Sequence, residues 1–117
     1  QNKEEVLRDL EKLDLFHMEQ FAHLATKMDS IEEGDGTLLD NMMFVMGSGL
    51  GSGMHHTCSN LPTLIAGIGG GLFKTNRHDR HSLGTPIANL WLSIAKGMGV
   101  KTERIGDSTN TLKGWAI

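Results

Sequence analysis

Apolar positions recur at helical spacing through the first thirty residues. Val6, Leu7, Leu10 and Leu13 form one set, and Phe21, Leu24, Ala25 and Met28 repeat the i, i+3, i+4, i+7 pattern. Asn2, with Glu5 three residues later, reads as a helix start with a capping box in which Asn replaces the usual Ser or Thr. The pattern predicts a mostly helical stretch over 3–30, broken near Asp14, inside a helical segment 1–32. Gly34-Asp35-Gly36 ends it as a turn.

The period changes after residue 40. Met42-Met43-Phe44-Val45-Met46 is continuously apolar, which predicts a strand over 41–47 covered on both faces. Leu64-Ile65-Ala66-Gly67-Ile68 predicts a second such strand over 62–68, stopped by Gly69-Gly70-Gly71. Thr85-Pro86 predicts a helix start, since Thr caps and Pro fits a first turn. Ile87, Leu90, Trp91, Ile94, Ala95 and Met98 then form one apolar stripe, read as core, and Gly97 and Gly99 end the helix. The remainder to Ile117 reads as irregular, with a short strand around Arg104-Ile105.

Two strands covered on both faces cannot satisfy their own edges. The expected class is therefore α/β: a fragment of a three-layer α/β/α sandwich with a mostly parallel sheet. Residues 1–117 would be the carboxy-terminal part of a single larger domain, with the helical segment 1–32 followed by a strand-loop-strand-helix region over 33–117. The opening without an initiator Met, inside a helical pattern, gives the same expectation, and the first partner is then the remainder of the parent chain.

Composition narrows the function classes. The formal net charge of −3 supplies no basic footprint for nucleic acid or an anionic membrane. No apolar run approaches the ~20 residues of a membrane helix. Cys58 is the one cysteine, so no internal disulfide forms.

The chemistry-bearing residues gather between and after the two apolar runs. A strand that ends in the glycine-rich, histidine-bearing stretch Gly47–Pro62 is where open α/β sheets place their sites. His56 and then His55 are candidate ligands for a divalent metal. Met54, His55, His56 and Cys58 together would suit copper. His78-Asp79-Arg80-His81 lies in a loop that also carries Lys74 and Arg77; with Ser48 beside glycine backbone, Lys74, Arg77 and Arg80 form a candidate anion-binding set for phosphate or sulfate. Gly47-Ser48-Gly49-Leu50-Gly51 is neither a nucleophile elbow nor a dinucleotide fingerprint, because no helix pattern begins there. Its glycines instead predict tight turns with a close backbone approach. His17 and His23 read as exposed helix positions, and Asp35, Asp40 and Asp107-Ser108-Thr109 as turn residues.

Motifs from Glu33 onward carry a resemblance. They are Glu33-Gly34-Asp35-Gly36-Thr37-Leu38-Leu39-Asp40-Asn41, the Gly47–Gly51 loop, His56, Asn60-Leu61-Pro62, Lys74-Thr75, Arg77-His78 and Gly84-Thr85-Pro86-Ile87-Ala88-Asn89-Leu90. Met98-Gly99-Val100, Gly106-Asp107-Ser108-Thr109 and His17-Met18-Glu19-Gln20-Phe21-Ala22 complete them. In this order they resemble the carboxy-terminal part of the bacterial HXXSHH proteins (domain of unknown function 1552), a family distantly similar to the alkaline phosphatase and sulfatase superfamily. The resemblance implies an alkaline-phosphatase-like fold and an exported protein, periplasmic or secreted, of the kind common in planctomycetes. It also implies a divalent metal (zinc, manganese or calcium) with His56 and next His78 as metal-associated residues. The corresponding substrate is a small anionic ester or a sulfated or phosphorylated glycan, with the nucleophile outside this stretch. The chain departs from the superfamily where Gly49, Gly51 and Ser52 stand in place of an acidic ligand. Two readings follow: a metal-dependent phosphate- or sulfate-ester hydrolase, or a non-enzymatic exported binding or structural protein on a degenerate hydrolase scaffold. A copper-handling module is a third.

Overall fold

A computed structural model of the chain describes residues 2–115. Its elements run α1 (Lys3–Asp29), β1 (Glu32–Glu33), β2 (Gly36–Thr37), β3 (Phe44–Gly47), β4 (Thr63–Ala66) and α2 (Ala88–Gly97). The ends of the predicted segments at Gln1 and at 116–117 lie outside the described residues.

α1 is continuous through Asp14, contrary to the predicted break. Asp14 is exposed, so its charge costs the helix nothing in desolvation and no breaker interrupts the backbone ladder. The predicted capping box is present: Glu5 N–H donates to Asn2 Oδ1 at 2.9 Å, and Asn2 N–H donates to Glu5 Oε2 at 3.2 Å. Asn2→Ala removes one of these bonds, and the loss of a cap costs about 1 kcal/mol of local helix stability. The expected readout is faster hydrogen exchange at the Glu5 amide with no change at α2.

Gly34-Asp35 is a two-residue loop joining β1 to antiparallel β2, with Glu33 opposite Gly36. Gly34 has φ +62°, the positive angle that a tight hairpin demands at its first loop position. Below the hairpin Thr37 Oγ1 bonds Asp29 at the end of α1 and Asp40 in the next turn, tying helix, hairpin and turn together.

The mostly parallel three-layer sandwich is not what forms. The two apolar runs pair antiparallel, Phe44 opposite Ala66 and Gly47 opposite Thr63, in a sheet of β3 and β4 alone. A parallel pair needs a crossover that packs on the sheet, usually a helix. The glycine-rich connection instead doubles back on itself. Ser48 N–H donates to the Pro62 carbonyl at 3.2 Å and Gly51 N–H to the Thr57 carbonyl at 2.8 Å. Gly51 approaches the Ser59 carbonyl so closely that no side chain fits there, which accounts for that glycine. Both strands are therefore half-covered rather than enclosed: Phe44, Val45 and Met46 are partly buried, and Leu64 is 43% exposed. One cover is α1, whose Phe21 ring stacks on Phe44 at 4.6 Å and 7°.

The core lies elsewhere. Phe73, Leu90 and Trp115 form its centre, with Met43, Ile65, Ile94 and Leu112 packed against it. α2 begins at Ala88, two residues beyond Pro86, because a tight turn from Pro86 and Ile87 to Asn89 and Leu90 precedes it. Its end is as predicted, with Gly97 its last residue and Gly99 at φ +83°. Its buried face is Ala88, Asn89, Leu90, Leu92 and Ser93; of the predicted stripe, Leu90 is buried and Ile94 packs on the core, whereas Trp91 and Met98 are 39% and 52% exposed. The reason is polar: Asn89 and Ser93, one helical turn apart, turn inward to bond the segment 105–112. That segment has no strand at Arg104-Ile105. It is held by Thr109 N–H and Asn110 N–H donating to Asn89 Oδ1 (2.8 and 3.3 Å) and Leu112 N–H donating to Ser93 Oγ (2.8 Å).

Candidate functional site

A cleft of about 370 Å³ opens at the carboxyl end of β3. Val45 and Gly47 of β3, Ser48 and Gly49 just beyond it, Leu61 and Thr63 of the returning chain, Ile87 at the N-cap of α2 and Trp91 within it line the cleft. Each arrives for a local reason. The antiparallel register sets Gly47 opposite Thr63, so the mouth of the connection is one strand pair wide. Ile87 and Trp91 are four residues apart and share a helix face across the gap. Ser48 Oγ accepts from Leu50 N–H at 3.2 Å, which turns the chain away from the cleft and leaves the hydroxyl hydrogen as a donor. No heavy atom lies within 4 Å of where a Gly49 side chain would begin, so the absence of that side chain holds space open.

The cleft's chemistry is neutral. Its lining holds four large apolar side chains, two hydroxyls and no ionisable group. Among the candidate site residues only Ser48 belongs to it. Lys74, Arg77, His78 and Arg80 lie in the irregular segment that follows Phe73. Arg77 is committed within the chain: its guanidinium grips Asp79 at 2.7 and 2.9 Å and donates to the Gly114 carbonyl at 2.7 Å. That fork clamps the loop to the tail, so Arg77, though exposed like Lys74 and Arg80, already spends its charge within the chain.

His55 and His56 sit at the tip of a small turn closed by pairing of Ser52 with Thr57. His55 Nδ1 shares a hydrogen bond with Ser52 Oγ at 3.2 Å, and His56 has φ +50°. Met54 is 81% exposed, and Cys58 is exposed beside the turn. Among the described residues no three His, Cys, Asp or Glu side chains are grouped so as to hold a metal ion. The Asp107-Ser108-Thr109 segment is a staple: buried Ser108 accepts from Ile105 N–H at 2.9 Å, and Thr109 bonds Asn89.

No protein-family model, curated protein or solved structure matches this chain. The likeness to the HXXSHH proteins therefore stands on the quoted motifs alone. Among the described residues no helix is long and apolar enough to cross a membrane.

Sequence reasoning missed Trp91, Thr63, Leu61 and Ile87 as cleft residues. The usable signal was the polar pair Asn89 and Ser93, which interrupts the α2 stripe and rotates Trp91 outward.

Proposed function

We propose that this chain is a binding module rather than a self-sufficient catalyst, and that the cleft beside Trp91 is its ligand site. The observation that supports this reading is the lining: an exposed indole, three aliphatic walls and two hydroxyls, with no charge. Ligand sites are mostly apolar and carry a few placed polar groups. The group that fits is neutral and flat, the size of one sugar ring or one aromatic side chain, stacked on Trp91 and hydrogen-bonded to Ser48 and Thr63.

This keeps the binding role of the non-enzymatic alternative in the sequence reading, without the degenerate hydrolase scaffold, which the antiparallel β3–β4 pair overturns. The ester-hydrolase alternative, its divalent metal and an exported location rest on the family resemblance alone. Neutral lining favours an uncharged glycan over a sulfated or phosphorylated one.

The test is a ring-fragment panel of neutral sugars, their sulfated and phosphorylated counterparts and aromatic dipeptides, read by chemical-shift change at Ser48, Gly49 and Thr63. Neutral members are expected to shift these signals. Trp91→Ala is expected to weaken the best binder at least tenfold. Gly49→Leu fills the open space and blocks binding while the thermal midpoint stays unchanged. Shifts confined to charged members, or binding that survives both substitutions, would reject the site.

A further inference from the structure

We propose that α1 is a self-association surface: two copies of this chain pair their α1 helices antiparallel, with Asp14 of each helix set against His17 of the other.

The helix spans 27 residues, about 40 Å, yet none of its residues is buried. Leu7, Leu10, Asp14, His17, Phe21, Leu24 and Met28 follow one another in steps of three and four, the seam spacing of paired helices. The chain covers only one end of this seam. Phe21 stacks on Phe44, and Ala25 and Met28 are half-buried. Leu7 (55% exposed), Leu10 (51%) and Leu24 (48%) lie open, flanked by Val6 and Leu13. An exposed apolar stripe of this extent, interrupted only at its middle by Asp14 and His17, marks a contact.

The two polar residues in the seam choose the partner and its direction. A polar seam residue costs stability and is matched by a polar residue opposite, which fixes register. In an antiparallel pair centred between Leu15 and Phe16, Leu7 faces Leu24, Leu10 faces Phe21 and Asp14 faces His17. From Leu7 to Leu24 every apolar seam position meets an apolar one, and each carboxylate meets an imidazole that can donate to it. Sliding the partner by one heptad in either direction sets Asp14 against Leu10 or Leu24. A parallel pair in register sets Asp14 against Asp14, a like-charge contact. The favoured register is two-fold symmetric, so both copies make the same contacts. Its centre falls within one residue of the middle of α1, and the overlap runs from Leu7 to Leu24, short of Ala25 and Met28, which the chain itself half-covers. This charge and pattern complementarity of the helix with its own reverse is what points to a second copy.

Sedimentation equilibrium of the 117-residue chain tests the pairing. A concentration-dependent dimer is expected for the native sequence. Asp14→His sets His against His and His17→Asp sets Asp against Asp, and each change alone is expected to raise the dimer Kd at least tenfold. The double variant Asp14→His/His17→Asp restores opposite partners and is expected to return the Kd to within a few-fold of the native value. Both positions are exposed, and far-UV circular dichroism verifies that the variants keep their helix. Leu10→Gln, at the Phe21 layer, is a second disruptive variant independent of charge. A native chain that stays monomeric to the highest soluble concentration overturns the proposal, and so does a double variant that is folded but no longer pairs.

Discussion

Phe73→Ala is expected to lower stability by about 3–5 kcal/mol, the range for emptying a buried aromatic site. Phe73 is 2% exposed and occupies the point where three parts of the chain converge. Its ring meets Trp115 at 4.9 Å and 53°, packs against Gly69, and lies against Gly97 in the last turn of α2. Gly97 is the complement of that ring: a side chain there would enter the space Phe73 fills, so the helix accepts a poor helix former in exchange for contact. The surroundings cannot collapse into the vacated volume, because backbone lines it at both glycines. Few other apolar side chains among the described residues are fully buried, Leu92 and Leu90 chief among them, so little remains to compensate. At about 3–6 °C per kcal/mol for a domain of this size, the melting midpoint should fall by about 9–30 °C. Phe73→Leu keeps most of the volume and should fall between the two. A loss below about 1 kcal/mol for the Ala variant would show that the core is centred elsewhere.

Asn89→Ala is the second large effect. The Asn89 side chain is 5% exposed and serves three partners at once, accepting from two backbone amides and donating to Thr109 Oγ1 at 3.2 Å. Replacing one partner of a buried bond leaves the other with its full desolvation cost, about 1–3 kcal/mol per group. Two amides are stranded here, so about 2–5 kcal/mol is expected, with the segment 105–112 released from α2. Ser93→Ala removes the neighbouring bond to Leu112 and should cost less, about 1–3 kcal/mol. Because both hold the same segment, the double variant should lose less than the sum of the singles. Chemical denaturation of the four species measures this coupling. Strict additivity would show that the segment is not held as one unit.

How far the sequence could be read follows from where the information resides. The α1 start was legible because a capping box is local: Asn2 and Glu5 carry it within four residues. The turn at Gly34 and the end of β3 at Gly47 were legible for the same reason, whereas β3 starts at Phe44 rather than 41 and β4 spans Thr63–Ala66 rather than 62–68. Strand direction was not. Continuous apolar runs are the mark of enclosed parallel strands, yet here they arise because α1 meets one face of the β3–β4 pair at Phe44 while the core meets the other at Ile65. Nothing within either run encodes the pairing, which depends on how residues 48–62 double back. The α2 face was misread because Trp91 and Met98 fit an apolar stripe, while Asn89 and Ser93 look like surface residues until their partners twenty residues away are known. Of the candidate site residues, Ser48 lies in the cleft, while Arg77, read as an anion ligand, spends its charge on Asp79 and Gly114. A guanidinium's partner is invisible in sequence when it is a backbone carbonyl 37 positions on.

That Arg77–Gly114 clamp also bears on the order in which the carboxy-terminal half assembles. It closes a ring of 37 residues, and the Asn89–Thr109 bond closes one of 20 inside it. Loop closure costs rise only logarithmically with length, so the larger ring formed alone costs about 0.5 kcal/mol more than the smaller. Once the inner ring is shut, however, the outer one needs only the short spans on either side of it to be ordered. The nesting therefore sets a sequence: α2 captures its own tail first, and the arginine then locks an arrangement already drawn together.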